Sequence, residues 1–403
     1  MRSFVRRAAV LLACAMASCR APAPLDARPL TLSATVADSV VTTRVAPGAR
    51  LHRVVNTTLP WRAFVLEVDL SCSRLHALKG GATAVGRTTT SQLLAALPAA
   101  MGAVGAINAD FFLFAPPGVP TNLHVERGTM LAGPGPKPVV FTDARRVRID
   151  TVVVDGRLTM AGLDLRLASW NRPTPSSAGI VDAHWGVPLD SLTRRHTWRL
   201  DPVAGRGARK VGSMATLNGR YIVRTAAPAD TLVFGDTLLV HLPPPPRTGA
   251  AATALRAGDT VRVRLGLATA RGPVRVADAV GGRPMVLVDS AITGDVDTEG
   301  NAGFRNLNPR SAIGFNRART RAWLAVIDGR QPGYSMGMTL RQVAELMQSL
   351  GATHALNLDG GGSSALVLRS GADTVVRVVN RPSDQTERPV GNALAVLSRC
   401  TGA

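Results

Sequence analysis

Lysine is nearly missing from this chain. Lys79, Lys137 and Lys210 are the only three among 403 residues, yet the formal net charge is +20. The excess is therefore arginine. Its spread along the whole length reflects composition more than chemistry. A basic chain can serve nucleic acid, an anionic envelope or a phosphorylated substrate. Aromatic residues are also scarce, at 4%, and no basic run is interleaved with rings on which bases could stack. That argues against a nucleic-acid partner. The seven histidines include no H-E-x-x-H or other close pair, so a zinc site has no support and no cofactor is expected. No G-x-x-x-x-G-K-[ST] occurs, which excludes a P-loop. Gly362-Ser363-Ser364 lacks the G-x-S-x-G elbow of a triad serine. Asp295 to Gly300 opens like a calcium loop, but its twelfth position is Asn306, so it reads as a solvated acidic turn.

Long apolar runs are absent after the first few residues. Residues 1–18 begin with Arg2, Arg6 and Arg7 and continue into Ala8 to Ala17, which reads as a signal peptide and is too short to span a bilayer. Met16-Ala17-Ser18-Cys19 resembles a bacterial lipobox with Cys19 as the lipidated residue, although Met16 stands where Leu is commonest. An ordinary signal peptide cut nearby is the alternative. Residues 19–45, rich in Ala and Pro at the start, read as a tether and leading strand. The expected location is the cell envelope, with the membrane contacted through a lipid anchor. Of four cysteines, Cys14 would leave with the leader and Cys19 would carry lipid. Cys72 and Cys400 remain, an even pair that in an oxidising compartment reads as one disulfide, with two buried thiols as the alternative.

Residues 46–403 show no convincing linker and no internal repeat. The Pro243 to Pro246 run sits between strand-like stretches at Thr231 to His241 and Thr260 to Leu267. Valine alternation in Arg146 to Val154 and the run Val375 to Val379 point to sheet. Helices are expected around Gln92 to Ala96, near Asp190 to Arg195, and at 339–350. In the last, Thr339 and Gln342 form a capping-box pattern and Gly351 is the stop. The pattern predicts one α+β domain with a mixed, strand-rich sheet and a few helices.

The most informative stretch is Asn357 to Val367, NLDGGGSSALV. An apolar strand runs into Asp359, the glycines Gly360, Gly361 and Gly362, and the hydroxyls of Ser363 and Ser364. Glycines in series let successive N–H groups point at one anion. A glycine-rich hairpin turn with a capping Asp is the plainer reading. Upstream, Ala322 to Ile327 ends in Asp328-Gly329-Arg330, so Asp328 and Asp359 close two strands where α/β sites collect chemical groups, if those strands are neighbours. Guanidinium grips phosphate at two points, which ammonium cannot. Arg310, Arg330 and Arg388 therefore stand as binding candidates, each with a loop-supporting salt bridge as its alternative.

NPRSAIGF (Asn308 to Phe315), IDGR (Ile327 to Arg330), SMGMTL (Ser335 to Leu340), the stretch Leu350 to Val367 and ERPVGNALAV (Glu387 to Val396) together resemble the phosphodiester glycosidase family. GAINADFF (Gly105 to Phe112) and GGRPMVLVD (Gly281 to Asp289) resemble further blocks of it, so the likeness spans about residues 100–396. In that family the first block more often reads N-G-G-F/Y-F. Asn108 therefore transfers and Asp110 does not. The resemblance implies an exported hydrolase that frees a sugar such as N-acetylglucosamine from a phosphodiester. Asp359 would be the first catalytic carboxylate and Asp328 its partner. Arg310, the glycine loop, Ser363 and Ser364 would hold the phosphate, and Asn108 would orient a sugar hydroxyl or the loop itself. A phosphoglycan-binding module without catalysis and an enzyme cutting the P–O bond remain as rivals.

Overall fold

Period-two burial builds the part of the molecule that carries the motifs. In the strand Arg321–Ile327, Ala322, Leu324 and Val326 enter one apolar cluster, and Trp323, Ala325 and Ile327 enter another. Arg310–Phe315 alternates in the same way, with Ile313 and Phe315 on one side and Ala312 on the other. Strands covered on both faces read as continuous apolar runs, which is why these segments stand out in the sequence. The computed structural model describes residues 30–400 except 35, 144–145, 190–195, 204–208, 213, 227–231, 244–254, 299–304 and 370–374. The expected signal peptide, Cys19, the helix near Asp190 and all but the first proline of the Pro243 run lie outside the described residues.

Those two strands lie inside an antiparallel sheet of eight. Its order is Ser39–Ala46, Ala49–Asn56, Trp61–Asp69, Arg321–Ile327, Arg310–Phe315, His354–Asn357, Met285–Val288 and Ala291–Ile292. One face carries the helix Leu340–Ser349 through Leu340, Val343, Ala344 and Met347. The capping box forms as expected: the Gln342 N–H donates to Thr339 Oγ1, and the Thr339 N–H donates to Gln342 Oε1. The other face packs on a five-stranded sheet in the order Val376–Val378, Leu366–Arg369, Ala103–Asn108, Ala393–Ser398 and Ser73–Leu78. Leu66, Leu324 and Leu356 from the first sheet meet Ile107, Leu366 and Leu394 from the second.

Two further sheets complete the architecture. One, of five strands, has Asp278–Gly281 at its centre. The other, of ten, includes Val153–Met160, Thr216–Ala226 and Thr260–Thr269 and has its own core around Trp170, Leu158, Tyr221 and Leu265. The expected strand-rich fold with few helices is present, while the α+β class with one mixed sheet gives way to a mostly β fold of several sheets. With 47% strand and 8% helix the chain is mostly β. Among the described strands a single parallel pairing occurs, between Ser169–Trp170 and Gly179–Val181. Many successive strands are joined by turns too short for a parallel crossover, and such turns enforce antiparallel pairing. The expected helix near Gln92 is present as Thr90–Ala95, and the acidic run forms a single helical turn, Asp295–Thr298, with its acids exposed and Val296 buried.

Cys72 and Cys400 are bonded, with Cα atoms 5.0 Å apart. The bridge lies where Ser73–Leu78 pairs with Ala393–Ser398. Gly48 passes so close that a Cβ there would lie 2.3 Å from Cys400 Sγ, and its φ of +70° suits glycine. Among the described residues no helix is long and apolar enough to cross a membrane.

Candidate active site

The strands Arg321–Ile327 and His354–Asn357 both pair antiparallel with Arg310–Phe315, one on each side. They therefore run the same way and release Asp328 and Asp359 at one end of the sheet. One strand separates them, so two strand spacings, about 10 Å, lie between their exits. Arg310 begins the strand in the gap, opposite Ile327.

Asp359 is fixed through its backbone. Asn108, at the end of Ala103–Asn108, donates from Nδ2 to the Asp359 carbonyl at 2.6 Å, and the Asp359 N–H donates to the Ala109 carbonyl at 2.8 Å. Asn108 is itself locked, since its Oδ1 accepts from Ser311 Oγ at 2.7 Å and from the Ala365 N–H at 3.2 Å. Ser311 points that way because it shares the inner face of its strand with Ile313 and Phe315. The Asn108 side chain thus orients the loop, one of its two expected roles. Burial pushes the Asp359 carboxyl up to about 6. The Ser363 hydroxyl, the Arg388 charge, the Gly360 N–H and the Arg283 charge oppose the rise. Ser363 leans on the carboxyl without completing a well-formed hydrogen bond, and the buried Ser364 hydroxyl has no hydrogen-bond partner either.

Part of the loop's N–H set is turned inward, and the Gly360 N–H faces the Asp359 carboxyl. The N–H groups of Gly361, Ser363 and Ser364 donate to the carbonyls of Pro309, Gly360 and Gly361 respectively. What the glycines provide is close approach. A Cβ on Gly360 would lie 2.8 Å from the Pro309 carbonyl oxygen, and one on Gly362 would lie 2.1 Å from Arg388 Nη2. Gly361 adopts φ +62°, with the Arg330 guanidinium 3.3 Å from where its Cβ would be. The loop lets two arginines lie against backbone.

Arg310, Arg330 and Arg388 all reach the same cleft, each steadied by a neighbour. Arg310 is buried, donating from Nε to the Met338 carbonyl at 3.0 Å and from Nη2 to the Asn306 carbonyl at 2.8 Å. Burial and the Arg330 charge hold its guanidinium down at about 10. Arg330 donates from Nε to Asn308 Oδ1 at 2.9 Å. Arg388 pairs with Asp384 at 2.6 Å. The cleft, of about 190 Å³, is lined by these arginines together with Asp359, the three glycines, Phe111, Asn308 and Asn357. A roomier hollow of about 580 Å³ elsewhere, beside Arg74, His76, Arg127 and Asp278, contains none of the motif residues.

Asp328 is not brought to the cleft. Its carboxylate accepts from Asn380 Nδ2 at 2.9 Å, from the Arg381 N–H at 2.9 and 3.1 Å, and from the Tyr334 hydroxyl at 3.0 Å. Arg62 and Arg381 lie over the Tyr334 ring at 4.8 and 5.1 Å. Asp328 is the anchor of the 380–381 loop.

Asp110 departs from the usual block of the family the chain resembles, yet its carboxyl is buried behind the Asp359 loop. It accepts the Asn122 N–H at 2.7 Å and the Thr121 hydroxyl at 3.2 Å. Burial pushes it up to about 7, the Asn122 N–H, the Arg172 charge and the Thr121 hydroxyl oppose this, and the Asp359 charge adds to the rise. An acid directly after a strand that ends in Asn108 was the available signal. Asn308 and Asn357 were also passed over, although both sit inside quoted motifs.

One carboxyl and three guanidinium groups line the same cleft. The sequence around it is similar to one family over part of the chain. Residues 212–397 match the family model described as phosphodiester glycosidase, and this part of the chain carries that domain. The matched region contains Arg310, Arg330, the glycine loop with Asp359, and Arg388, while the Asn108 block precedes it. No curated protein matches the chain. Among solved structures, a Synechocystis protein aligns at TM-score 0.66 and 18% identity over 90% of this chain and 64% of its own. The chain thus spans less than two thirds of that relative. A Burkholderia pseudomallei K96243 protein aligns at TM-score 0.59 and 23% identity, over 84% and 74%. The zebrafish N-acetylglucosamine-1-phosphodiester alpha-N-acetylglucosaminidase catalytic domain, auto-inhibited by its pro-peptide, gives TM-score 0.42 and 13% identity, over 91% and 89%.

Proposed function

We propose that the protein is an exported hydrolase that cleaves a sugar-1-phosphodiester of an envelope or extracellular glycan at the anomeric C–O bond. The observation that carries this reading is the presence of Asp359 and three arginines in one cleft. When the C–O bond breaks, its electron pair leaves with the phosphate oxygen and a phosphate monoester departs. Water supplies the new hydroxyl on the sugar. A phosphate monoester is already a good leaving group, so charge stabilisation matters more than protonation. Arg310, Arg330 and Arg388 meet the charge that grows on the phosphate. The Asp359 carboxylate, mostly ionised at neutral pH, lies beside the oxocarbenium-like centre. Asp328 acts at a distance by fixing the loop beside the cleft. The Cys72–Cys400 bond suits an oxidising compartment, and a lipid on Cys19 would hold the enzyme at a membrane. Cys19→Ala is then expected to release it into the soluble envelope fraction, and an unchanged membrane fraction refutes the anchor.

The test of the reaction is product analysis with a methyl diester of N-acetylglucosamine 1-phosphate. Free N-acetylglucosamine plus methyl phosphate is the expected outcome. Sugar phosphate as product would assign cleavage to the P–O bond instead. Binding by folded protein with no turnover of any phosphodiester would favour a glycan-binding module.

A further inference from the structure

The cleft that holds Asp359 is rich in donors, since its three guanidinium groups can donate and cannot accept. Asn357 brings something else to it. This residue lines the same cleft and is 1% exposed, yet its Oδ1 has no hydrogen-bond partner among the described residues. Everything else about Asn357 is held. Its Nδ2 donates to the Arg283 carbonyl at 2.6 Å, and its N–H donates to the Pro284 carbonyl at 3.0 Å. Its own carbonyl accepts the Arg283 N–H at 2.8 Å. Gly282 permits this closeness, because a Cβ there would lie 2.5 Å from the Asn357 carbonyl oxygen. A carbonyl can face only the NH2 end of an amide, so the bond to Arg283 fixes which end is which. The oxygen is the end left over. Asn357 lies opposite Ala312 in the antiparallel pair, and Arg310 is two residues from Ala312 on the same face. The acceptor is therefore a neighbour of an arginine placed to hold phosphate. A buried acceptor without a donor is costly, and bracing the 283–284 turn needs only the amide nitrogen.

We propose that Asn357 is a specificity-determining residue whose Oδ1 accepts a hydrogen bond from the substituent at carbon 2 of the sugar. The inference rests on the ligand being a sugar 1-phosphodiester, as in the proposed function. With the phosphate on the arginines, two ring atoms flank the anomeric carbon: the ring oxygen and carbon 2. The ring oxygen has no hydrogen to donate. The substituent on carbon 2 has one, as N–H in a 2-acetamido sugar or as O–H in a plain hexose. Hydrogen bonds at that position strengthen as the oxocarbenium-like centre forms, so one contact serves both binding and turnover. A sugar without a donor there leaves the buried oxygen unpaired. Sites built around such a hydrogen bond reject the analogue that lacks it far more strongly than apolar pockets reject a misfit.

The test is calorimetric binding of paired sugar 1-phosphates to the full chain. Glucose is paired with 2-deoxy-2-fluoroglucose, and N-acetylglucosamine with 2-O-acetylglucose. In each pair the second sugar keeps the shape and loses the donor. Wild type is expected to bind the donor-free sugar about tenfold more weakly in at least one pair. The pair that shows the drop tells whether O–H or N–H is the group recognised. Asn357→Ala is expected to abolish that drop, binding both members of the pair at the wild type's affinity for the donor-free one. Asn357→Ser keeps a hydroxyl to donate to the Arg283 carbonyl and is expected to do the same if the alanine variant does not fold. Should neither fold, the Asn357 Cγ resonance of 13C-labelled wild type decides. It is expected to shift with the donor sugar and stay in place with its analogue. Wild type that shows no drop in either pair, a folded variant that keeps the drop, or equal shifts of the resonance each overturn the proposal. If wild type binds these sugars but cleaves no phosphodiester, the hydrolytic reading fails and the paired affinities still judge Asn357. If it binds none of them, both fall.

Discussion

Asp328-Gly329 and Asp359-Gly360 are alike as sequence, each an acid and a glycine closing an apolar strand, and they meet opposite fates. Asp328 is met by an asparagine amide, a backbone N–H and a tyrosine hydroxyl that between them occupy both carboxylate oxygens. Asp359 is gripped by its backbone, and its carboxyl is left facing a cleft lined by arginines. A carboxylate whose acceptor sites are filled holds structure together, while one with sites to spare can take part in chemistry. Burial alone does not separate them, since it raises the pKa of both.

The largest effect should fall on the open acid. Asp359→Asn should lower kcat by at least ~10²-fold with KM little changed, as expected for an interaction made in the transition state. Steady-state kinetics on folded variant checks this, and normal kcat would end the assignment. Asp328→Ala should show the reverse, a loss of about 3 kcal/mol in a denaturant titration from orphaned buried donors, with turnover per folded molecule little altered. If it abolished turnover of a stably folded protein, the contrast between the two acids would collapse. Next in size, Arg310→Lys keeps charge but loses the fork, so KM should rise about tenfold. An unchanged KM would remove Arg310 from the binding set.

An effect of similar size sharpens the contrast through pH. Unfolded, Asp359 loses its proton near the ordinary 3.8; folded, it does so at about 6. Between those values the native state binds more protons, so stability falls as pH rises through that window and stays lowered above it. Asp359→Asn removes this titration. The variant should match the wild type near pH 3 and exceed it by about 1–3 kcal/mol at neutral pH. Parallel stability curves for the two proteins would refute the displaced titration.

Local signals in the sequence were read well where one segment determines its own structure. The Thr339–Gln342 box marked the start of the helix Leu340–Ser349, and the apolar run Ala322 to Ile327 marked a strand of the sheet beneath it. Arg310, Arg330, Arg388 and Asp359 came from separate motifs and converge on one cleft. What escaped was whatever depended on a partner far along the chain. Beside the nearby Tyr334 hydroxyl, the donors that fill Asp328 arrive from residues 380 and 381, more than fifty positions later. The Gly361 N–H is occupied because the Pro309 carbonyl lies beside it. Asp110 was dismissed on motif grounds, and only folding shows that Asn122 and Gly281 make a place for its carboxyl. Sheet composition escaped for the same reason, since the pairing of many short strands is set by long-range register.

The bond between Cys72 and Cys400 spans 328 positions. It joins the start of one strand to the end of the strand beside it, so nearly the whole described chain forms a covalent ring. A single proteolytic nick in any surface loop of that ring opens it without creating two separable pieces. A molecule cut once in the ring would stay one covalent piece until a reductant arrived.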